Sequence, residues 1–491
     1  MAPSLPEKRK VLPNDITELR RLLSSTNADV LTPTDSGYDA TVERWSRAAE
    51  KPSGVSIAPT SAEQIAIAIR YATEQNLEVA VKGGGHSTAG ASSTDGGLLI
   101  DLGRMRNVLV DLSKQRLHVQ GGCLWSDVDN AAWEHRLATV GGTVDDTGVG
   151  GLTLGGGYGM LSGQRGLVID NVVSATVVLA SGEIVTASED ENADLFWALL
   201  GAGQNFGVTT EFVLQAYQQS EVYKGTMVFL PTPENITKLV AAVNHLYHVA
   251  KGGRSKKCMS LLAKAPDGSG NTVLVFIASY DGPEAEGKAV FQHFTDIGPC
   301  MSTMCSGPYP EVNKMIPVST GLRSSIKGAA YVLPIRDTFF TEMMGKFEVF
   351  HGQCGDAGAS LIAWELFDPT VLASSEKGCF ANRGYHMNTV IMPVWTQATN
   401  DMQCREWARE MSFMFKHELE THGLRTGEGA SVRGKKGATL LYGNYDQNDE
   451  QSRDIFGDNY PRLQKLKARY DPSNVFNKLF AITPDPVSNG Q

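Results

Sequence analysis

The chain of 491 residues has no apolar run near the roughly 20 residues that a membrane-spanning helix needs. It also lacks an excess of positive charge: 44 Lys and Arg stand against 54 Asp and Glu, a net charge of −10. That balance argues against nucleic acid or an anionic membrane as a main partner. Lys8-Arg9-Lys10, the one basic run near the N-terminus, is too short for a binding patch. The seven cysteines are odd in number, irregularly spaced and never form C-x-x-C, so free thiols are expected rather than a disulfide framework. The opening MAPSLPEKRKVLPND lacks the apolar stretch of a secretory signal, which points to a cytoplasmic protein. A secreted chain already processed would look the same, and only then would the sequon Asn235-Ile236-Thr237 matter.

Several familiar motifs are missing too. Gly155-Gly156-Gly157-Tyr158-Gly159 comes nearest to the dinucleotide fingerprint G-x-G-x-x-G and fails at its last position. No G-x-x-x-x-G-K-[ST] phosphate loop occurs. In Gly85-His86-Ser87-Thr88-Ala89, Ala89 stands where a nucleophile elbow needs glycine. His417 and His422 flank Glu418 with one residue too many for H-E-x-x-H, which sets them roughly 140° apart on a helix. No metal site is expected.

Glycine is what the chain has in clusters. VKGGGHSTAG carries three glycines into His86 at the end of an apolar strand. A second block places seven glycines in the twelve residues from Gly148 to Gly159. Each glycine in regular structure costs about 0.5–1 kcal/mol relative to Ala, so such density needs a reason. One reason is an extended phosphate-bearing ligand lying on bare backbone, with Lys82 adding charge at the mouth. The other is tight turns packed beneath neighbouring strands. Two blocks and no Rossmann fingerprint make FAD in another fold attractive.

From Gly54 the pattern alternates between strand and helix. GVSIAPT reads as a strand, and SAEQIAIAIRYATEQN as a helix opened by a capping box from Ser61 to Gln64. VVSATVVLASGEIVTAS reads as a hairpin turning at Ser181-Gly182. After Tyr217 glycine clusters thin out, and long strands alternate with amphipathic helices to about residue 425. Three parts are expected: 1–217, 218–425, and a polar, aromatic tail 426–491.

KGGGHSTAG, TGVGGLTLGGGYGMLSGQRGLVIDNVVSA, ADLFWALLGAGQNFGVTTEF and YGNYDQ…FGDNYPRLQKLKARYDPSNVF together resemble the vanillyl-alcohol oxidase superfamily of FAD-linked oxidases. The resemblance narrows to its berberine bridge enzyme-like branch, which includes 6-hydroxynicotine oxidase. It implies an α+β fold: a two-part FAD-binding domain made of the N-terminal part and the tail. Between them is inserted a substrate domain of antiparallel sheet plus helices. It implies that His86 is bonded covalently to the flavin's dimethylbenzene edge, whereas the residues alone also allow a histidine hydrogen-bonded within its turn. The cofactor contacts expected are Lys82, Gly83, Gly84, Gly85, His86, Ser87 and Gly90 in the first block. Thr147, Gly148, Gly151, Leu152, Gly156, Gly157 and Gly159 follow in the second, then Val208 and Asn444.

The chain departs from the family's pattern twice. Many relatives make a second flavin link through a cysteine just before G-V-G-G; Val144 stands there, so FAD attached through His86 only is expected. Some relatives carry a glutamate base where Asn388 stands, and Asn cannot take a proton at neutral pH. Tyr445 matches a tyrosine that many relatives place near substrate; it is either a base or a buried aromatic closing a hydrogen bond. Tyr385 and His386, on the same segment as Asn388, are further pocket candidates. The resemblance implies an FAD-dependent oxidase taking hydride from a small organic molecule, with oxygen as acceptor. The alternatives are a dehydrogenase or ring-closing enzyme, and a catalytically silent flavin-binding protein.

Overall fold

The computed structural model describes residues 7–248, 256–265, 268–316, 321–423 and 439–485. Its first sheet sets Val55–Ala58, Leu98–Asp101 and Val79–Lys82 parallel, with Asp29–Leu31 antiparallel at the edge. Helix Ala62–Glu74 links two of these strands and buries Ile65, Ala68, Ile69 and Ala72, a stripe at helical spacing. The expected capping box does not form. Gln64 instead accepts from the Thr60 amide at 2.7 Å and donates to Asn27 at 2.7 Å, partners that displace the Ser61 amide.

The second sheet is antiparallel, in the order Val108–Asp111, Arg116–Gln120, Val208–Gln215, Val172–Val178, Ile184–Ser188. Its last two strands form the expected hairpin, where Gly182 supplies a φ of 76° at the turn. Tyr217-Gln218 still pairs with Leu137-Ala138, so the first part's pairing runs up to residue 218.

The third sheet begins at Val222 and is antiparallel throughout, eight-stranded, with Lys256–Lys264, Leu361–Leu366 and Met387–Met392 side by side in its middle. Side chains alternate across it. Cys258, Leu262, Ile362, Trp364, Leu366, Met387 and Ile391 pack in a core with helices Pro233–His248, Asp337–Gln353 and Asp401–Glu418. Met259, Leu261, Leu361, Ala363, Glu365, Val390 and Met392 face the other way, over a cavity.

The C-terminal residues return to the first part. Lys467, fully buried, bonds Asp471 at 2.6 Å and the carbonyls of Asn205 and Phe476 at 2.7 Å each. Val475 and Phe476 complete the core under the first sheet. The expected boundary at residues 425 and 426 lies outside the described residues. Among the described residues, no helix is long and apolar enough to cross a membrane.

Candidate active site

The two glycine blocks meet each other. A Cβ on Gly84 would lie 2.6 Å from the Gly148 Cα, and one on Gly148 would lie 2.4 Å from the Gly84 nitrogen. Both positions therefore exclude any side chain. Gly85 turns at φ 70°, which carries the chain away from its strand and presents His86. The amides of Gly84, Gly85, His86 and Ser87 find no acceptor among the described residues. Gly151 lies in the helix Val149–Leu154, and a Cβ there would meet nothing within 4 Å.

These backbones wall one side of a cavity of about 330 Å³, and the third sheet walls the other. Gly83, Gly84, Gly85, His86, Ser87, Thr147, Gly148, Gly151, Leu152, Val208, Asn444 and Tyr445 all line it. His86 stacks on Trp45 with ring centroids 4.3 Å apart. Its Nε2 lies 3.4 Å from Asp146 Oδ1, yet neither atom makes a well-formed hydrogen bond. Asn444 donates to the Leu152 carbonyl at 3.2 Å and the Tyr442 hydroxyl at 2.9 Å, which ties the tail to the second glycine block.

Eight expected residues are placed elsewhere. Lys82 is not at the mouth: its ammonium bonds Asp101 at 3.2 Å and the carbonyls of Ala40 and Thr41. The parallel register sets Lys82 beside Asp101, and that fixed anion outcompetes the open cavity. Gly90 shapes the following turn through bonds with Ser87 and Ser93 and does not line the cavity. Gly156, Gly157 and Gly159 are packing glycines, whose Cβ atoms would collide with Phe380, with Val168 and with the Gly141 carbonyl. Asn388 shares the cavity face of its strand but lines a small separate void with Gly328, Ala329, Tyr445 and Asp446. His386 is buried within 3.2 Å of Asn382, and Tyr385 is exposed; neither lines the cavity.

The sequence reading missed a buried ionisable pair beside Tyr445. The Tyr445 hydroxyl donates to Glu365 Oε1 at 3.4 Å, and Lys257 Nζ lies 3.6 Å from the same oxygen. Lys257 also donates to the Gly159 carbonyl at 3.2 Å. Glu365 and Lys257 are both buried, and Glu365 Oε2 has no partner among the described residues. Burial pushes the Lys257 ammonium down, opposed by Glu365. Burial, then the Glu365 charge, pushes the Tyr445 phenol well above its ordinary value. A charged residue inside LIAWELF or KKCMSLLAK was the available signal, because buried charges are costly and rarely idle.

The residues present fit an extended, phosphate-bearing cofactor. The uncommitted amides suit a pyrophosphate. Buried polar atoms without partners among the described residues, Ser92 Oγ, Gln204 Oε1 and Thr209 Oγ1, belong to residues that line the same cavity, as do His86 and a wide apolar floor.

That arrangement defines a flavin-dependent oxidoreductase, and comparison with known proteins agrees. A family model described as FAD binding domain matches residues 54–188, and one described as berberine and berberine like matches residues 441–482. The FAD-linked oxidoreductase pgmH of Aspergillus terreus is 33% identical over 487 residues, covering 96% of each chain. The (R)-6-hydroxynicotine oxidase of Paenarthrobacter nicotinovorans is 36% identical over 228 residues, 45% of this chain and 50% of that one. The crystal structure of 6-hydroxy-D-nicotine oxidase from Arthrobacter nicotinovorans shares the fold, with a TM-score of 0.77 at 24% identity over 94% of this chain and 99% of that one. The chain belongs to the berberine bridge enzyme-like family of FAD-linked oxidoreductases.

Proposed function

We propose that the protein is an FAD-dependent oxidase acting on a small organic substrate, an alcohol, amine, sugar or secondary metabolite, with oxygen as acceptor and His86 as the single covalent tether. The observation that carries this reading is the shared cavity, with His86 and uncommitted amides on one wall and the Tyr445–Glu365 pair on the other. FAD, when bound, supplies a two-electron acceptor that takes hydride from the substrate and passes the electrons to oxygen as hydrogen peroxide. The same reading assigns residues 1–217 and the tail from 426 to cofactor binding, and 218–425 to substrate.

Each residue has a task. The amides of Gly84 to Ser87 hold phosphate, and Gly151 leaves room for the cofactor's body. Trp45 fixes the plane of the His86 ring, and Asp146 lies within reach of its Nε2. Val144 lines the cavity and no cysteine does among the described residues, which supports one tether rather than two. Tyr445 is held as a neutral phenol by burial, so a resting phenolate is not the base. Its oxygen instead accepts the substrate's O–H or N–H proton as its own proton passes to Glu365 Oε1. That relay avoids a free phenolate in a buried site, and Lys257 beside the carboxylate holds its charge in place.

Acid precipitation followed by a visible spectrum and a peptide map tests the tether. A yellow pellet with flavin on the His86 peptide is expected, and colour wholly in the supernatant would overturn it. Peroxide release on turnover separates an oxidase from a dehydrogenase.

A further inference from the structure

The wall of the cavity opposite the glycine turns is almost entirely hydrocarbon and thioether. Met259, Leu261, Leu361, Ala363, Val390 and Met392 supply it from three adjacent strands. The alternation of the sheet makes this a continuous surface, because every second residue of each strand faces the cavity. Polarity from this sheet is confined to one end, where Glu365 meets Tyr445. There Glu365 Oε2 lacks a donor among the described residues.

From this we infer that the substrate is a neutral, largely apolar molecule bearing a hydroxyl, such as a hydrophobic alcohol or phenol. Its carbon skeleton lies on the six apolar side chains, and its hydroxyl meets the Tyr445–Glu365 end. The inference narrows the oxidase reading above and rests on it. Saccharides fit poorly. Each sugar hydroxyl buried against this wall gives up its water without gaining a partner, and a disaccharide carries several. Cationic amines fit poorly for a separate reason. Lys257 and Glu365, 3.6 Å apart and both buried, sum to zero net charge whether their shared proton sits on nitrogen or oxygen. Asp446, the other carboxylate on the cavity, is already held by Lys327 at 2.5 Å, so an ammonium ligand would lose its hydration and meet only carboxylates that a lysine already partners.

The test uses the flavin-loaded protein and reads binding from the visible difference spectrum, independently of turnover. With 4-ethyl-, 4-propyl- and 4-butylphenol as probes, the dissociation constant should fall about fourfold per added methylene. Benzyl alcohol should bind at least tenfold tighter than benzylamine at pH 7, and xylobiose should bind more weakly than 4-propylphenol. Leu361→Asn should weaken 4-butylphenol at least tenfold while leaving xylobiose and the flavin spectrum unchanged; Met392→Gln serves if that variant does not fold. Affinity indifferent to alkyl length, or xylobiose or benzylamine binding better than its neutral apolar counterpart, overturns the inference while leaving the oxidase reading intact. A protein that holds no flavin overturns the oxidase reading itself, and the inference with it.

Discussion

Lys82 and Glu365 are both charged residues on strands that approach the cavity, and they have opposite fates. Lys82 is spent on Asp101, its neighbour across a parallel pair, whereas Glu365 keeps one oxygen uncommitted. Tyr445→Phe should lower kcat by about 10²–10⁴-fold with flavin content and spectrum unchanged, as measured by steady-state kinetics and absorbance. A second buried carboxylate lies outside the cavity. Asp129, pushed up to about 7 by burial, accepts from Asn313 at 2.7 Å, while its other oxygen and the Asn313 carbonyl oxygen are both unpaired among the described residues. A carboxyl raised in the folded state helps most below its unfolded value near 3.8 and loses that help as pH rises to about 7. Asp129→Asn removes this loss and lets two amides pair reciprocally. It should raise the thermal midpoint at pH 8, and raise it less at pH 5, by scanning calorimetry.

The elements differ in how well they announce their roles. Gly84→Ala would press a methyl into the Gly148 backbone, so soluble yield and flavin content should both fall. Gly151→Ala meets open space in the protein, so circular dichroism should stay unchanged while bound flavin per chain drops. Strands and helices of the first part were legible because their periods are regular and their turns carry glycine, as at Gly182. The meeting of Gly84 with Gly148 was not, because sequence shows that side chains are missing without showing what presses against the gap. Gly156, Gly157 and Gly159 read as ligand contacts for that reason, and prove to be contacts with Phe380, Val168 and Gly141. Lys257 and Glu365 were missed because strand register, which a single sequence does not display, brings them together.

At the scale of the molecule, the tail is pinned by a buried cation. Lys467→Met would leave Asp471 charged and without its ammonium, and should cost about 3–5 kcal/mol, seen as a lower unfolding midpoint. Loss of flavin should accompany it, because the same tail carries Asn444 and Tyr445 to the cavity wall. The division into cofactor and substrate parts rests on the resemblance, while the course of the chain between residues 424 and 438 lies outside the described residues. The tail also fixes an order in time. A ribosome makes the glycine turn around residue 85 more than 350 residues before Tyr445. The residues of the cavity's first wall are therefore made long before those of its last, and the chain cannot close around a cofactor until the tail has emerged.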